Sequence, residues 1–179
     1  MENENVVSGN TEDGIWKKIA AELTPDVFTY DVQINLKERP VNLSIDIDLG
    51  GGFEGGFALT QFSAPVTVAS DFKFAVHDEG FIDEIGKFFG MQDVETGYDD
   101  LDKHLIIKTN DAEKVRQLFA DTAARQTFVE LADFDFGIHH HTADNAGQTI
   151  LELNIDNGIT DIDTLKKIYH AFYAVLSII

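Results

Sequence analysis

The sequence lacks cysteine and has few basic residues. Without cysteine, the chain can form neither disulfides nor zinc–thiolate sites, and thiolate catalysis is excluded. Thirteen Lys and Arg residues face 32 Asp and Glu, which gives a formal net charge of −19, and no Lys/Arg cluster occurs. Because phosphate backbones and anionic headgroups repel such a surface, the composition argues against binding to nucleic acid or to anionic membranes.

Long apolar runs and catalytic motifs are also missing. No apolar stretch approaches the about 20 residues that span a bilayer. The N-terminus has no basic region followed by an apolar run, so we expect a cytoplasmic protein without a signal peptide. No G-x-S-x-G elbow, H-E-x-x-H, Walker A or kinase motif occurs. We therefore assign no catalytic and no cofactor-binding residue, and the sequence favours a non-enzymatic protein.

The length of 179 residues and the 14 Phe residues supply enough apolar material for one domain. We expect a flexible N-terminus at residues 1–10 and a single α+β domain at residues 11–179. Two runs alternate apolar and polar residues, which predicts an antiparallel strand pair with one wet side. The apolar positions are Phe28, Tyr30, Val32, Ile34 and Leu36 in the first run, and Val41, Leu43, Ile45, Ile47 and Leu49 in the second.

The remaining patterns predict the order α-ββββ-α-ββ-αα-ββ-α. This order includes a helix from Asp78 to Gly90 and corresponds to one mostly antiparallel sheet of about six to eight strands, with helices on one face. The last helix is the longest, and its final residues are apolar on nearly every side, which is typical of a buried helix. It can also offer a protein partner or a second copy a contact through Phe172, Val175 and Ile179.

Two motifs suggest ligands. Residues 50–55 match the dinucleotide pattern G-x-G-x-x-G, but a strand pattern follows where the motif requires a helix, so a hairpin loop is the better interpretation. His139 and His141 project from one side of a predicted strand, with Asp144 just beyond and Asp135 on the same side. This spacing leaves room for a divalent metal bound by His139, His141 and Asp144, although a solvent-facing strand end accounts for the same residues.

Acidic residues crowd two predicted turns, around residues 99–102 and 154–163. Neither has EF-hand spacing, and turn and cap chemistry alone favours Asp and Asn there, so calcium stays an open alternative. The first turn belongs to a stretch of about residues 78–131 that resembles an uncharacterised bacterial family. The resemblance rests on Thr96-Gly97, Asp99-Asp100, Leu101-Asp102, a strand from His104 to Lys108 and a helix opening at Asn110-Asp111. Because that family has no known function, the resemblance implies no site residues.

We therefore expect a soluble, non-enzymatic binding or interaction module. One alternative is a small-ligand carrier with an apolar pocket between sheet and helices, which the many Phe side chains would line. The other is a metal-dependent enzyme that uses the strand of His139 and His141.

Overall fold

The structure, a computed structural model, describes residues 5–24, 26–37, 39–51, 55–68, 71–78, 90–141 and 148–179. Within these residues, nine strands form one sheet, accompanied by five helices. The strands are β1 Val6–Gly9, β2 Thr29–Leu36, β3 Arg39–Asp48, β4 Phe57–Pro65, β5 Phe74–Asp78, β6 Gln92–Asp93, β7 Leu105–Thr109, β8 Phe134–His141 and β9 Gln148–Ile155. The helices are α1 Glu12–Glu22, α2 Asp99–Asp102, α3 Ala112–Leu118, α4 Thr122–Glu130 and α5 Ile162–Ile178.

The sheet has the strand order β1-β2-β3-β4-β9-β8-β5-β7-β6, and its neighbouring strands are antiparallel except for β1 and β2. The predicted pair is β2 and β3, in which Tyr30 lies opposite Ile45 and Val32 opposite Leu43. Val32 and Ile45 are both buried. The α+β class with one mostly antiparallel sheet is thus confirmed, with a strand count slightly above the predicted range.

Aromatic rings fill the space between the sheet and the helices. Phe128 of α4 stacks on Phe136 of β8 with ring centroids 4.7 Å apart, and Phe172 of α5 lies 5.9 Å from the same ring. Phe62 of β4 lies 6.1 Å from Phe172. Each buried ring of this size stabilises the fold by about 1.5–3 kcal/mol, and the offset contacts add to it.

Short polar side chains begin four of the helices. Thr11, Asp111, Asp121 and Asp161 each accept a hydrogen bond from a backbone N–H in the first turn that follows. Such a cap stabilises a helix by about 1 kcal/mol.

Three differences from the sequence-based expectation concern boundaries. Residues 6–9, within the segment predicted to be flexible, form β1, which pairs with β2 and buries Val7. The alternation from Val66 to Val76 predicts one strand, but the strand found there, β5, begins only at Phe74. The helix predicted from Asp78 to Gly90 lies largely outside the described residues. No helix within the described residues has the length and apolar content to cross a bilayer.

Candidate functional site

A cluster of polar side chains lies on the paired strands β5 and β8. Asp135 lies opposite His77 across the two strands, and its carboxylate oxygen Oδ2 is 3.4 Å from Nε2 of His139. Cα atoms four residues apart on a strand are separated by about 13 Å, so these two side chains lean toward each other over Gly137. A Cβ at Gly137 would lie 2.4 Å from the carbonyl oxygen of Phe74, so only glycine permits this approach of β5 to β8.

This cluster contains part of the predicted metal site. His139 and Asp135 meet as their shared strand face predicted, whereas Asp144 and the side chain of His141 lie outside the described residues. The part of the chain that the structure describes contains no group of three or more His, Cys, Asp or Glu side chains placed to hold a metal ion. A site formed by His139, His141 and Asp144 therefore stays a prediction.

The acidic turn that carries the family resemblance has a structural role. Asp102 accepts hydrogen bonds from the backbone N–H of Thr96 at 2.9 Å, from the Thr96 hydroxyl at 2.8 Å and from the backbone N–H of Gly97 at 2.8 Å. Asp99 pairs with Lys103 one turn later, at 3.0 Å. These bonds fold the Thr-Gly turn onto α2, so the motif is explained without a bound cation.

Arg125 of α4 also binds this acidic turn. Its Nε donates to both carboxylate oxygens of Asp100, at 2.9 and 3.1 Å, and its Nη1 donates to the carbonyl oxygens of Phe119 and Ala120, at 2.9 and 3.0 Å. Its guanidinium carbon lies 4.1 Å from the centre of the Tyr98 ring. The guanidinium holds the pKa of Asp100 below its ordinary value, chiefly through these hydrogen bonds. One buried cation therefore joins α2, the end of α3 and the start of α4.

The apolar end of α5 packs within the chain. Phe172 and Val175, two of the residues predicted to contact a partner, are completely buried in the core. Ile179 is partly buried against the same core, and the neighbouring Ile178 is half-exposed. A partner can therefore reach this end of the helix only at its last residues.

One cleft lies between the end of α5 and the sheet. It is lined mainly by Pro65 and Val66 on the sheet side and by Leu176 and Ile179 of the helix, and its volume is about 240 Å³. Arg39 lines the same cleft and donates a hydrogen bond to the Leu176 carbonyl oxygen. Ligand sites usually enclose about 300–1,000 Å³, so this cleft is small for the carrier alternative.

The side of the sheet that faces away from α5, here called the open side, is polar as predicted. Asp31 and Asp46 lie there, on β2 and β3. Gln61 of β4 donates to Asn154 of β9 at 2.7 Å, and Asn154 donates to Glu152 at 2.8 Å. This arrangement is typical of a hydrated sheet surface.

Exposed apolar side chains gather at one end of the sheet, which we call the hairpin end. Phe28, Leu49 and Phe57 lie there, and they are 51%, 74% and 54% exposed. They are three of the five large apolar side chains that are exposed within the described residues; the other two are Val6 and Ile178. The concentration of three at one end of the sheet distinguishes this surface from scattered exposed residues.

The strand register brings these residues to one end of the sheet but to different sides of it: Phe57 lies on the open side opposite Asp48, whereas Phe28 and Leu49 continue the alternation of Tyr30 and Ile47 on the other side. Phe28 accepts a backbone hydrogen bond from Ile47 at 2.7 Å, and Asp48 lies opposite Phe57 in the ladder. A Cβ at Gly56 would lie 2.3 Å from the Asp48 carbonyl oxygen, so the tight return of the chain requires glycine. The Gly-rich stretch therefore joins two antiparallel strands, which confirms the hairpin interpretation. A dinucleotide-binding motif would have to be followed by a helix, and here it is followed by β4.

The hairpin end carries negative charge. Gly158 packs against Ile47, so the loop after β9 also lies at this end. Among the described residues nearest to it, 26–36, 40–51, 55–65 and 153–160, none is Lys or Arg. The acidic residues of these segments are Asp26, Asp31, Asp46, Asp48 and Asp156.

Sequence reasoning placed Phe28 and Leu49 in the core because they continue the alternation of their strands. The signals for their exposure were present nearby. Leu49 is followed at once by the glycine-rich stretch, and Asp48 gives one carboxylate oxygen to the backbone N–H of Gly50 at 2.8 Å, as a residue at a strand end does. The absence of Lys and Arg from residues 40–72 was also visible in the sequence. Its relation to the exposed apolar side chains became clear only from the positions of the strands.

Comparisons with known proteins place the chain in no family. No protein-family model and no curated protein matches it. A solved structure with some likeness is the mycobacterial trehalose monomycolate transport factor A, TtfA, at a TM-score of 0.49 and 7% sequence identity, over 89% of this chain and 76% of that one. A likeness of this degree supports no argument about function.

Proposed function

We propose that this protein is a non-enzymatic binding module and that it contacts its partner through the hairpin end. The observation that carries the proposal is the exposure of Phe28, Leu49 and Phe57 at one end of the sheet. Together these side chains leave on the order of 300 Å² of apolar surface in water. The sum is comparable to the largest apolar patch on a typical monomer, and here it is divided between the two sides of the sheet at its hairpin end.

The acidic turn and the end of α5 have structural roles, and this leaves the hairpin end as the candidate binding surface. Asp99, Asp100 and Asp102, the residues that most resemble a ligand site in sequence, each have a partner that stabilises the fold. The apolar end of α5 is accounted for by burial. Within the described part of the chain, Phe28, Leu49 and Phe57 at the hairpin end are exposed apolar side chains that packing does not explain.

Site-specific photo-crosslinking tests the proposal in the cells that make the protein. A benzoyl-phenylalanine at position 57 is expected to form a covalent adduct with one defined partner, and Leu49→Ser in the same chain is expected to reduce its yield. The same crosslinker at Val6 or Ile178, which are exposed to a similar extent elsewhere, serves as the control. Equal adducts at all three positions, or none at position 57, would contradict the proposal.

A metal-dependent function of the His139 strand is a second proposal, favoured by the Asp135 carboxylate 3.4 Å from Nε2 of His139. A carboxylate in this position orients an imidazole so that its other nitrogen can bind a metal, which His141 and Asp144 would complete. Calorimetric titration with zinc, nickel and manganese tests it. Binding that His139→Ala plus His141→Ala abolishes supports the site, and binding that survives both changes removes it.

A further inference from the structure

We infer that the partner's docking segment is a basic, amphipathic stretch of protein in which apolar side chains alternate with Lys or Arg. The inference rests on the proposed function, because it names the chemistry of what the hairpin end binds. It is carried by two carboxylates, of Asp46 and Asp48, that share the open side of the sheet with the exposed Phe57.

Apolar and acidic side chains face each other across β3 and β4. Asp48 lies opposite Phe57, and Asp46 lies opposite Leu59. Side chains directly opposite in an antiparallel pair have Cβ atoms about 5 Å apart, and the two aspartates, two residues apart on one strand, are about 7 Å apart. A segment that buries Phe57 therefore comes within reach of both carboxylates. Cations on that segment would pair with them, whereas a purely apolar segment would bury them without partners.

The charge distribution decides against other occupants. A twofold contact between two copies of this chain would place the same surface on both sides and bring Asp46 and Asp48 of one copy against those of the other. Anionic lipid headgroups meet the same repulsion. A basic protein segment fits this surface because its apolar side chains can cover Phe57 and its cations can pair with the carboxylates.

A pair of neutralising variants tests the inference with a defined probe, a fluorescent peptide in which leucine and lysine alternate. Asp46→Asn plus Asp48→Asn is expected to weaken its binding by about fivefold or more at low ionic strength, and raising the salt is expected to narrow the difference. Asparagine keeps the oxygen that accepts from the Gly50 N–H. The control, Asp93→Asn plus Glu95→Gln, removes equal charge at the β6 edge, about 29 Å from β3 by strand spacing, and is expected to change binding by less than about twofold.

Several outcomes overturn the inference: equal weakening by both variant pairs, equal binding of a leucine–glutamate peptide, no binding at all, or preferential binding to neutral phosphatidylcholine vesicles. Leu49→Ser plus Phe57→Ser separates the inference from the proposed function. If this apolar pair of changes abolishes peptide binding while the Asp46 and Asp48 changes have no effect, the hairpin end still binds and only the basic partner is wrong. If crosslinking at position 57 also fails, the proposed function fails with it.

Discussion

Replacing Arg125 tests the idea that one buried cation organises the acidic turn. Arg125→Met removes the guanidinium but keeps an unbranched apolar stem in the same space. The Arg125 side chain is 10% exposed, and its hydrogen bond to the Phe119 carbonyl oxygen is buried, so water cannot replace that bond. The carbonyl oxygens of Phe119 and Ala120 lose their donor, and Asp100 loses its ion-pair partner.

The expected cost follows from the burial of each partner. A buried carbonyl left without its donor costs about 1–3 kcal/mol. The Asp100 side chain is 39% exposed, so solvent screening limits its ion pair to about 1 kcal/mol or less. The contact with the Tyr98 ring adds about 0.5–1 kcal/mol. Because these terms share one side chain and do not add fully, we expect Arg125→Met to lower the free energy of unfolding by about 3–4 kcal/mol.

Urea unfolding followed by circular dichroism measures this change, since a domain of this kind is stable by about 5–15 kcal/mol. The matched control is Arg116→Met, whose guanidinium carbon lies 5.9 Å from the same Tyr98 ring but whose side chain is exposed. It is expected to cost about 0.5 kcal/mol or less. Arg125→Lys keeps the charge but not the planar fork, so an intermediate loss of about 2 kcal/mol is expected. Equal costs for the two methionine variants would refute the reasoning.

Three further predictions concern acid stability, the last helix and the sheet. The neighbouring guanidinium lowers the pKa of Asp100 in the folded state, so its stabilisation is present above the unfolded pKa of about 3.9 and is lost as the pH falls below it. Asp100→Asn should therefore lose less stability than the wild type between about pH 4 and pH 2, and parallel unfolding curves would contradict this. Phe172→Ala is expected to cost about 3–5 kcal/mol in urea unfolding, against about 0.5 kcal/mol or less for Ile178→Ala; similar values would mean that the end of α5 is not core. Gly137→Ala is expected to lower the stability by about 1–3 kcal/mol or more in thermal unfolding, because the added Cβ meets a neighbouring strand. Gly51→Ala, with no atom within 4 Å of the added Cβ, should leave the stability unchanged. An unchanged stability for Gly137→Ala would show that β5 can move away.

The strand patterns could be predicted because they depend on local alternation. Val32 and Ile45 are buried as expected, since a side-chain period of two fixes which face each residue joins. The same rule fails at Phe28 and Leu49, which continue the alternation but lie past the part of the sheet that the helices cover. A sequence pattern specifies the face of a strand, but it does not specify how far the opposite layer extends.

The candidate site was harder to predict because its members are distant in sequence. Arg125 and Asp100 are 25 residues apart, and nothing local marks either as the partner of the other. His77 lies opposite Asp135 only because β5 and β8 pair, although 58 residues separate them along the chain. Where the residues lie on one strand, as with Asp135 and His139, the prediction that they share a face was sufficient to bring them together.

Three cations of this chain attach its helices. Arg125 joins α2, α3 and α4, Lys166 of α5 pairs with Asp13 of α1, and Arg39 holds the carbonyl end of α5. Within the described residues, no Lys or Arg lies in the segments next to the carboxylates of Asp46 and Asp48 at the hairpin end. A basic partner would supply cations there while it covers Phe57, so binding and relief of self-repulsion would favour the folded state together. An uncharged apolar ligand at the same place would provide only the first of these two contributions.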